Sequence, residues 1–131
     1  MNELAKEILD TVEVGALATV NADRTPLVTP LHFARLDDSI IWISEPTSRH
    51  SVNAFRSGEA EFVVWDDKKR AVFLKTNVTE VSESEKEAAM AAYKKKLPSF
   101  MPRCQNPQLY VAPIGKLDEK TTTGNWLHFI A

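Results

Sequence analysis

Four consecutive residues, Ser48-Arg49-His50-Ser51, put two hydroxyls, a guanidinium and an imidazole at the point where an apolar run ends and helical spacing begins. A helix start presents backbone N–H groups with no intrahelical acceptor and the positive end of the helix dipole. Together with an arginine, that is a setting for an anion, and a phosphate suits it. Other chemistry has weaker support. His32, His50 and His128 show no HxH, HxxxH or HExxH spacing, which points away from a metal site. Ser44, Ser48 and Thr29 lack the GxSxG turn that presents a serine nucleophile, so ligand binding or structure is their expected use. Cys104 beside Arg103 is a lone thiol in a proline-flanked loop.

The elements that position this site can be read along the chain. Leu4, Ala5, Ile8, Leu9 and Val12 recur at spacings of three and four and predict a helix over residues 2–14, ended by Gly15. Residues 16–20 predict a short strand covered on both faces. Residues 26–36 predict a second strand, at an edge or bulged near Pro30, because proline removes a ladder donor. Asp37-Asp38-Ser39 turns the chain into a third strand over residues 40–43. Residues 48–57 predict a helix with Val52 and Phe55 inward and Gly58 as its stop. Strands follow over 60–65 and 70–81, the second with Val72, Leu74, Thr76 and Val78 on one face. Ser82 to Glu85 reads as a capping box for a helix to Leu97. Residues 97–107, with three prolines, predict a loop, and 108–117, interrupted by Pro113 and Gly115, and 125–130 the last strands. Short hairpins and a majority of strands predict a small, mainly β antiparallel barrel with peripheral helices.

Composition sets the limits. A chain of 131 residues, 44% hydrophobic, makes one domain over residues 1–131. A net charge of −2 argues against nucleic acid as partner, and Lys68-Lys69-Arg70 and Lys94-Lys95-Lys96 read as solvated turn and helix faces. One cysteine leaves no internal disulfide, no run approaches the ~18 apolar residues of a membrane span, and no signal segment opens the chain. The expected location is the cytoplasm, away from any membrane.

Taken in order, the opening helix, Leu17-Ala18-Thr19-Val20, Pro26 to Pro30, Ile40 to Ser44, Ser48-Arg49-His50 and Asn53 resemble the pyridoxamine 5′-phosphate oxidase-like family of FMN-binding split barrels. The likeness extends more weakly to Trp65, Arg70-Ala71-Val72 and Trp126-Leu127-His128. The resemblance implies a six-stranded antiparallel split β-barrel forming a homodimer, with FMN in clefts at the interface. It places the phosphate on Ser48, Arg49 and His50. The ribityl chain and ring fall beside Val28, Thr29, Pro30, Leu31, His32 and Phe33, with Ile43 and Ser44 also touching the cofactor. Trp126 would wall the ring slot.

The departures from the family pattern carry information too. Where the oxidases have an arginine and a lysine on the second strand, residues 26–33 offer only His32, so the phosphate leans on Arg49. The glutamine of the oxidases' Arg-Gln-Val is Ala71, and the arginine of their substrate-gripping Arg-x-His is Trp126, with His128 keeping the histidine. Pyridoxamine 5′-phosphate is therefore not the expected substrate. The expected activity is an FMN-dependent oxidoreductase passing electrons from NAD(P)H to a small acceptor. The alternative is a dimer without turnover that binds flavin, deazaflavin or haem, or no cofactor. The homodimer has its own argument: Trp42, Trp65, Trp126 and several phenylalanines exceed what one small barrel encloses.

Overall fold

The computed structural model describes residues 1–131. The order of elements is α1 (Glu3–Thr11), β1 (Val14–Val20), β2 (Pro26–His32), β3 (Ala34–Leu36), β4 (Ser39–Ser44), α2 (Arg49–Ser57), β5 (Glu59–Trp65), β6 (Ala71–Asn77), β7 (Thr79–Glu80), α3 (Lys86–Lys96), β8 (Gln108–Pro113), β9 (Lys116–Leu117) and β10 (Trp126–Ile130). Ten strands form a six-stranded sheet, β2-β1-β5-β6-β10-β9, and a four-stranded sheet, β3-β4-β8-β7. All pairings are antiparallel except β6 with β10, which run parallel. The sheets do not close on each other, and the result is the expected split barrel with helices at its periphery.

Two segments expected as single long strands are each divided between the sheets. The chain passes from β2 to β3 at Phe33, whose ring is fully buried and meets Phe62 edge-on at 5.0 Å. It passes from β6 to β7 at Val78, also buried. An apolar side chain buried at each corner pins the bend against the core. The four residues expected on one face, Val72, Leu74, Thr76 and Val78, are all buried. β2 is the edge strand that its prolines require, and its register with β1 is unbroken from Val14↔His32 to Val20↔Pro26, without a bulge.

Four other expectations change. The first helix ends at Thr11, and Gly15 lies within β1, where a Cβ would stand 2.2 Å from Cζ of Phe62. Glycine is there to admit a ring, not to stop a helix. β1 is covered on one face only: Gly15, Leu17 and Thr19 are buried, while Val14 and Val20 remain about half exposed. No capping box forms at Ser82; residues Glu83–Glu85 make a 3₁₀ turn, and Ser82 Oγ sits 3.3 Å from Ser84 Oγ. In α2 the expected inward pair is only partly covered, Phe55 by the Tyr110 ring at 5.3 Å. Val52 and Phe55 are exposed, and Ser51, Asn53 and Ala54 are buried.

The main core joins α1 to the large sheet and the inward residues of β4 and β8, with Trp42, Phe33, Phe62 and Tyr110 its largest members. A second cluster packs α3 on the small sheet through Ile41, Ile43, Ala89, Tyr93 and Leu97. Trp42 is therefore a core residue. Trp65 and Trp126 are both more than half exposed.

Candidate functional site

The site begins where β4 ends. Ser44 is buried, and its hydroxyl lies 2.9 Å from Nε2 of His50 on the first turn of α2. Ser48 Oγ donates to the Glu45 carbonyl at 2.8 Å and stands 2.8 Å from Ser51 Oγ and 3.4 Å from His50 Nε2. Three serines and an imidazole thus form one connected cluster. Burial pushes the His50 imidazole below the usual histidine range, so it is neutral at pH 7.

Ser48 occupies the N-cap position of α2, yet its side chain caps no amide. The first ladder bond runs from Val52 N–H to Ser48 C=O at 3.0 Å. The amides of Arg49, His50 and Ser51 precede that ladder and are the free donors of a helix start. Arg49 is exposed and enters none of the ion pairs of the chain. Asp23, in the β1–β2 turn, feels its charge, and its carboxyl is held below the usual range, chiefly by hydrogen bonds from Thr25. Three amides and one unpaired guanidinium are chemically suited to a phosphate or carboxylate.

The strand residues divide by face. Along β2, Leu31 points into the core and Thr29 is half-buried on the same side, while Val28, Pro30 and His32 face out. Ile43 faces α3 and lines a groove of about 450 Å³ with Met90, Met101 and Leu109, on the opposite side of β4 from Ser44. The structure thus gathers Ser44, Ser48, Arg49 and His50, and β2 approaches β4 near its crossover. Trp126 stands elsewhere. It pairs with Ala71 at the start of β6, donates its indole N–H to the Lys69 carbonyl at 3.3 Å and leans on Phe73. Between β2 and β10 lie three strands, about 19 Å at ~4.8 Å per step.

Val28, Pro30, His32 and Trp126 nevertheless share one surface. The outward face of the large sheet carries Val28, Val14, Val20, Trp65, Trp126 and Ile130, each at least 40% exposed. His128 lies on it too, stacked on Phe73 at 4.2 Å. Near Val20, Pro26, Glu61 and Lys75 the face is indented by a cavity of about 550 Å³. Arg70, in the stretch that resembles the oxidases, is committed to Asp66 and Glu7, at 2.7 Å each.

Several participants escape the sequence reading. Phe100 of the long loop stacks on His32, ring centres 3.6 Å apart, and Asn106 of the same loop donates to Glu45. The Tyr110 hydroxyl is buried without a hydrogen-bond partner, near Ser51. Asn53 carried part of the resemblance but was not expected to be buried; it is 1% exposed and donates to Thr19 and Asn21.

An open, two-sheet barrel with an anion-suited helix start after its fourth strand defines a class of small split-barrel proteins. Residues 1–113 match the family described as pyridoxamine 5′-phosphate oxidase, and the chain belongs to that family. Solved structures agree in fold. A heme binding protein from Mycobacterium smegmatis is 18% identical with a TM-score of 0.73, over 86% of this chain and 50% of its own, so the chain spans half the length of that relative. A FAD-binding protein from Mesorhizobium loti is 16% identical with a TM-score of 0.71, over 87% and 88%. An F420 reductase is 18% identical with a TM-score of 0.67, over 82% and 90%. No curated protein matches in sequence. No helix is long and apolar enough to cross a membrane.

Proposed function

We propose that this chain is a cytoplasmic, homodimeric FMN-binding oxidoreductase that takes electrons from NAD(P)H and passes them to a small acceptor other than pyridoxamine 5′-phosphate. The observation that carries the reading is the unpaired Arg49 beside three free amides at the start of α2. Those donors fit the FMN phosphate. Ser44 and Ser48 hold the His50 ring in place on the same first turn of α2. The outward side of β2, with Val28 65% exposed and Pro30 beside it, gives the ring an apolar support.

The homodimer follows from the open sheet face. Six large apolar side chains there have no cover within the chain. A second copy laid on this face buries them, and with Trp126 four strand steps from β2 in its own chain, a Trp126 wall for a ring held at β2 would have to come from that copy. FMN, when bound, supplies the redox chemistry, and the protein binds, orients and screens it. The chain's part is to fix the phosphate through Arg49 and to exclude water from the ring.

A neutral His50 and a β2 without lysine or arginine favour a second reading, a dimer that binds flavin without turnover, or holds deazaflavin or haem. Stopped-flow mixing of FMN-loaded protein with NADH or NADPH separates the two. Bleaching of the flavin band at a rate that outruns free FMN supports the oxidoreductase, and an unchanged band supports the binding protein.

A further inference from the structure

Helix α2 buries little apolar surface for its length. Val52 is 47% exposed and Phe55 43%, the Phe55 ring resting on Tyr110 at 5.3 Å, and of its apolar residues Ala54 alone is fully buried, while Asn53 is 1% exposed. A helix held by hydrophobic burial alone would turn Val52 and Phe55 fully inward and leave the amide outside. What Asn53 gains is direction. Its amide nitrogen donates to Thr19 Oγ1 at 3.2 Å and to Asn21 Oδ1 at 2.9 Å, and its own oxygen accepts from Arg56 Nη2 at 2.7 Å. Arg56 in turn donates through Nη1 to the Val20 carbonyl at 3.0 Å. Every hydrogen of the Asn53 amide group has a partner, and the partners are the last inward residue of β1 and the turn that leads to β2.

We infer that Asn53 is a positioning residue: through Thr19, Asn21 and Arg56 it locks α2 in one place on the β1–β2 hairpin, and so sets where Arg49 stands relative to the edge strand. This rests on the reading of α2 as the phosphate end of a flavin site and adds the part that aligns it. Apolar packing tolerates sliding and rotation of a helix, whereas a buried, fully paired amide accepts one arrangement. The same hydrogen bonds leave Arg56 engaged with the hairpin, so Arg49 is the cation of α2 free to meet a ligand.

The test compares ligands with and without a phosphate. Asn53→Leu is close in volume and removes all three hydrogen bonds, and Asn53→Asp keeps the acceptor for Arg56 but loses the donors. Full-length variants shown to be folded by circular dichroism are titrated with FMN and with riboflavin. The expected result is a loss of about tenfold or more in FMN affinity for Asn53→Leu, a smaller loss for Asn53→Asp, and riboflavin affinity unchanged in both. Parallel loss of both ligands, or no loss of either, overturns the inference.

A second measurement frees the test from the flavin reading and from any variant that fails to fold. Inorganic phosphate is added to ¹⁵N-labelled protein and the amide shifts of Arg49, His50 and Ser51 are followed. Movement in the wild-type protein that needs a higher phosphate concentration in Asn53→Asp supports the lock even where FMN does not bind. Equal movement in both, or none in the wild-type protein, overturns it.

Discussion

At the residue scale the site turns on how its few polar groups are shared. Ser44 and Ser48 address one nitrogen of His50, and burial keeps that ring neutral, so the positive charge offered at the α2 start is that of Arg49. The sign of the pH effect follows. With a folded pKa below the unfolded ~6.5, the unfolded chain binds more protons between the two values, so stability is full above about pH 6.5 and is lost as pH falls through the folded value. Urea unfolding of His50→Gln between pH 5 and 7 is expected to show a shallower fall than the wild-type protein. An identical slope in both would place His50 in a solvated setting. Ser48, Arg49 and His50 were legible in sequence because hydroxyl, cation and imidazole followed an apolar run. The influence of Arg49's charge on Asp23 and the stacking of Phe100 on His32 were not, since each joins segments far apart in the chain.

Among the elements, strand order along the chain was legible and the corners were not. At Phe33 and Val78 the apolar alternation shifts phase, to Ala34 and Leu36 after the first and to Val81 after the second, but a bulge leaves the same mark, and only the tertiary fold tells a corner from a strand interior. Gly15 shows the same limit: following a helix, it reads as a stop, yet its role is to admit Phe62. Gly15→Ala is expected to cost about 1–3 kcal/mol through overpacking, read as a lowered thermal midpoint. Lys96 ties α3 to α1 and to the β2–β3 corner, with Nζ 2.7 Å from the Leu9 carbonyl and 3.7 Å from the centre of the Phe33 ring. Burial pushes its ammonium down to about 8, against the opposite pull of Asp10 and Glu13. Here too the unfolded chain holds the proton longer. Stability contributed by this group is full above 10.5 and is lost as pH falls toward 8. Lys96→Met is expected to flatten the stability difference between pH 8 and 10, measured by urea unfolding at each pH.

For the whole molecule, the two faces of the large sheet carry the argument for the proposed dimer. Its inner face is a packed core, and its outer face exposes two tryptophans and several aliphatic residues over five neighbouring strands. The surplus of large apolar side chains was visible in the composition. Their gathering on one face required the register. Trp65→Glu, far from the α2 start, is expected to shift the protein from dimer to monomer at micromolar concentration by light scattering, and to weaken FMN binding with it. A dimer undisturbed by that charge would put the interface on another surface.

The most direct test of the account is the visible absorption spectrum of the purified protein, recorded after addition of FMN and removal of the excess, for the wild-type chain and for Arg49→Ala. Charge-assisted hydrogen bonds of ~1.5–3 kcal/mol correspond to about a ten- to hundredfold loss of affinity. The account predicts retained flavin bands in the wild-type protein, largely lost in the variant. Wild-type protein that stays colourless, or a variant that keeps its flavin undiminished, would contradict it.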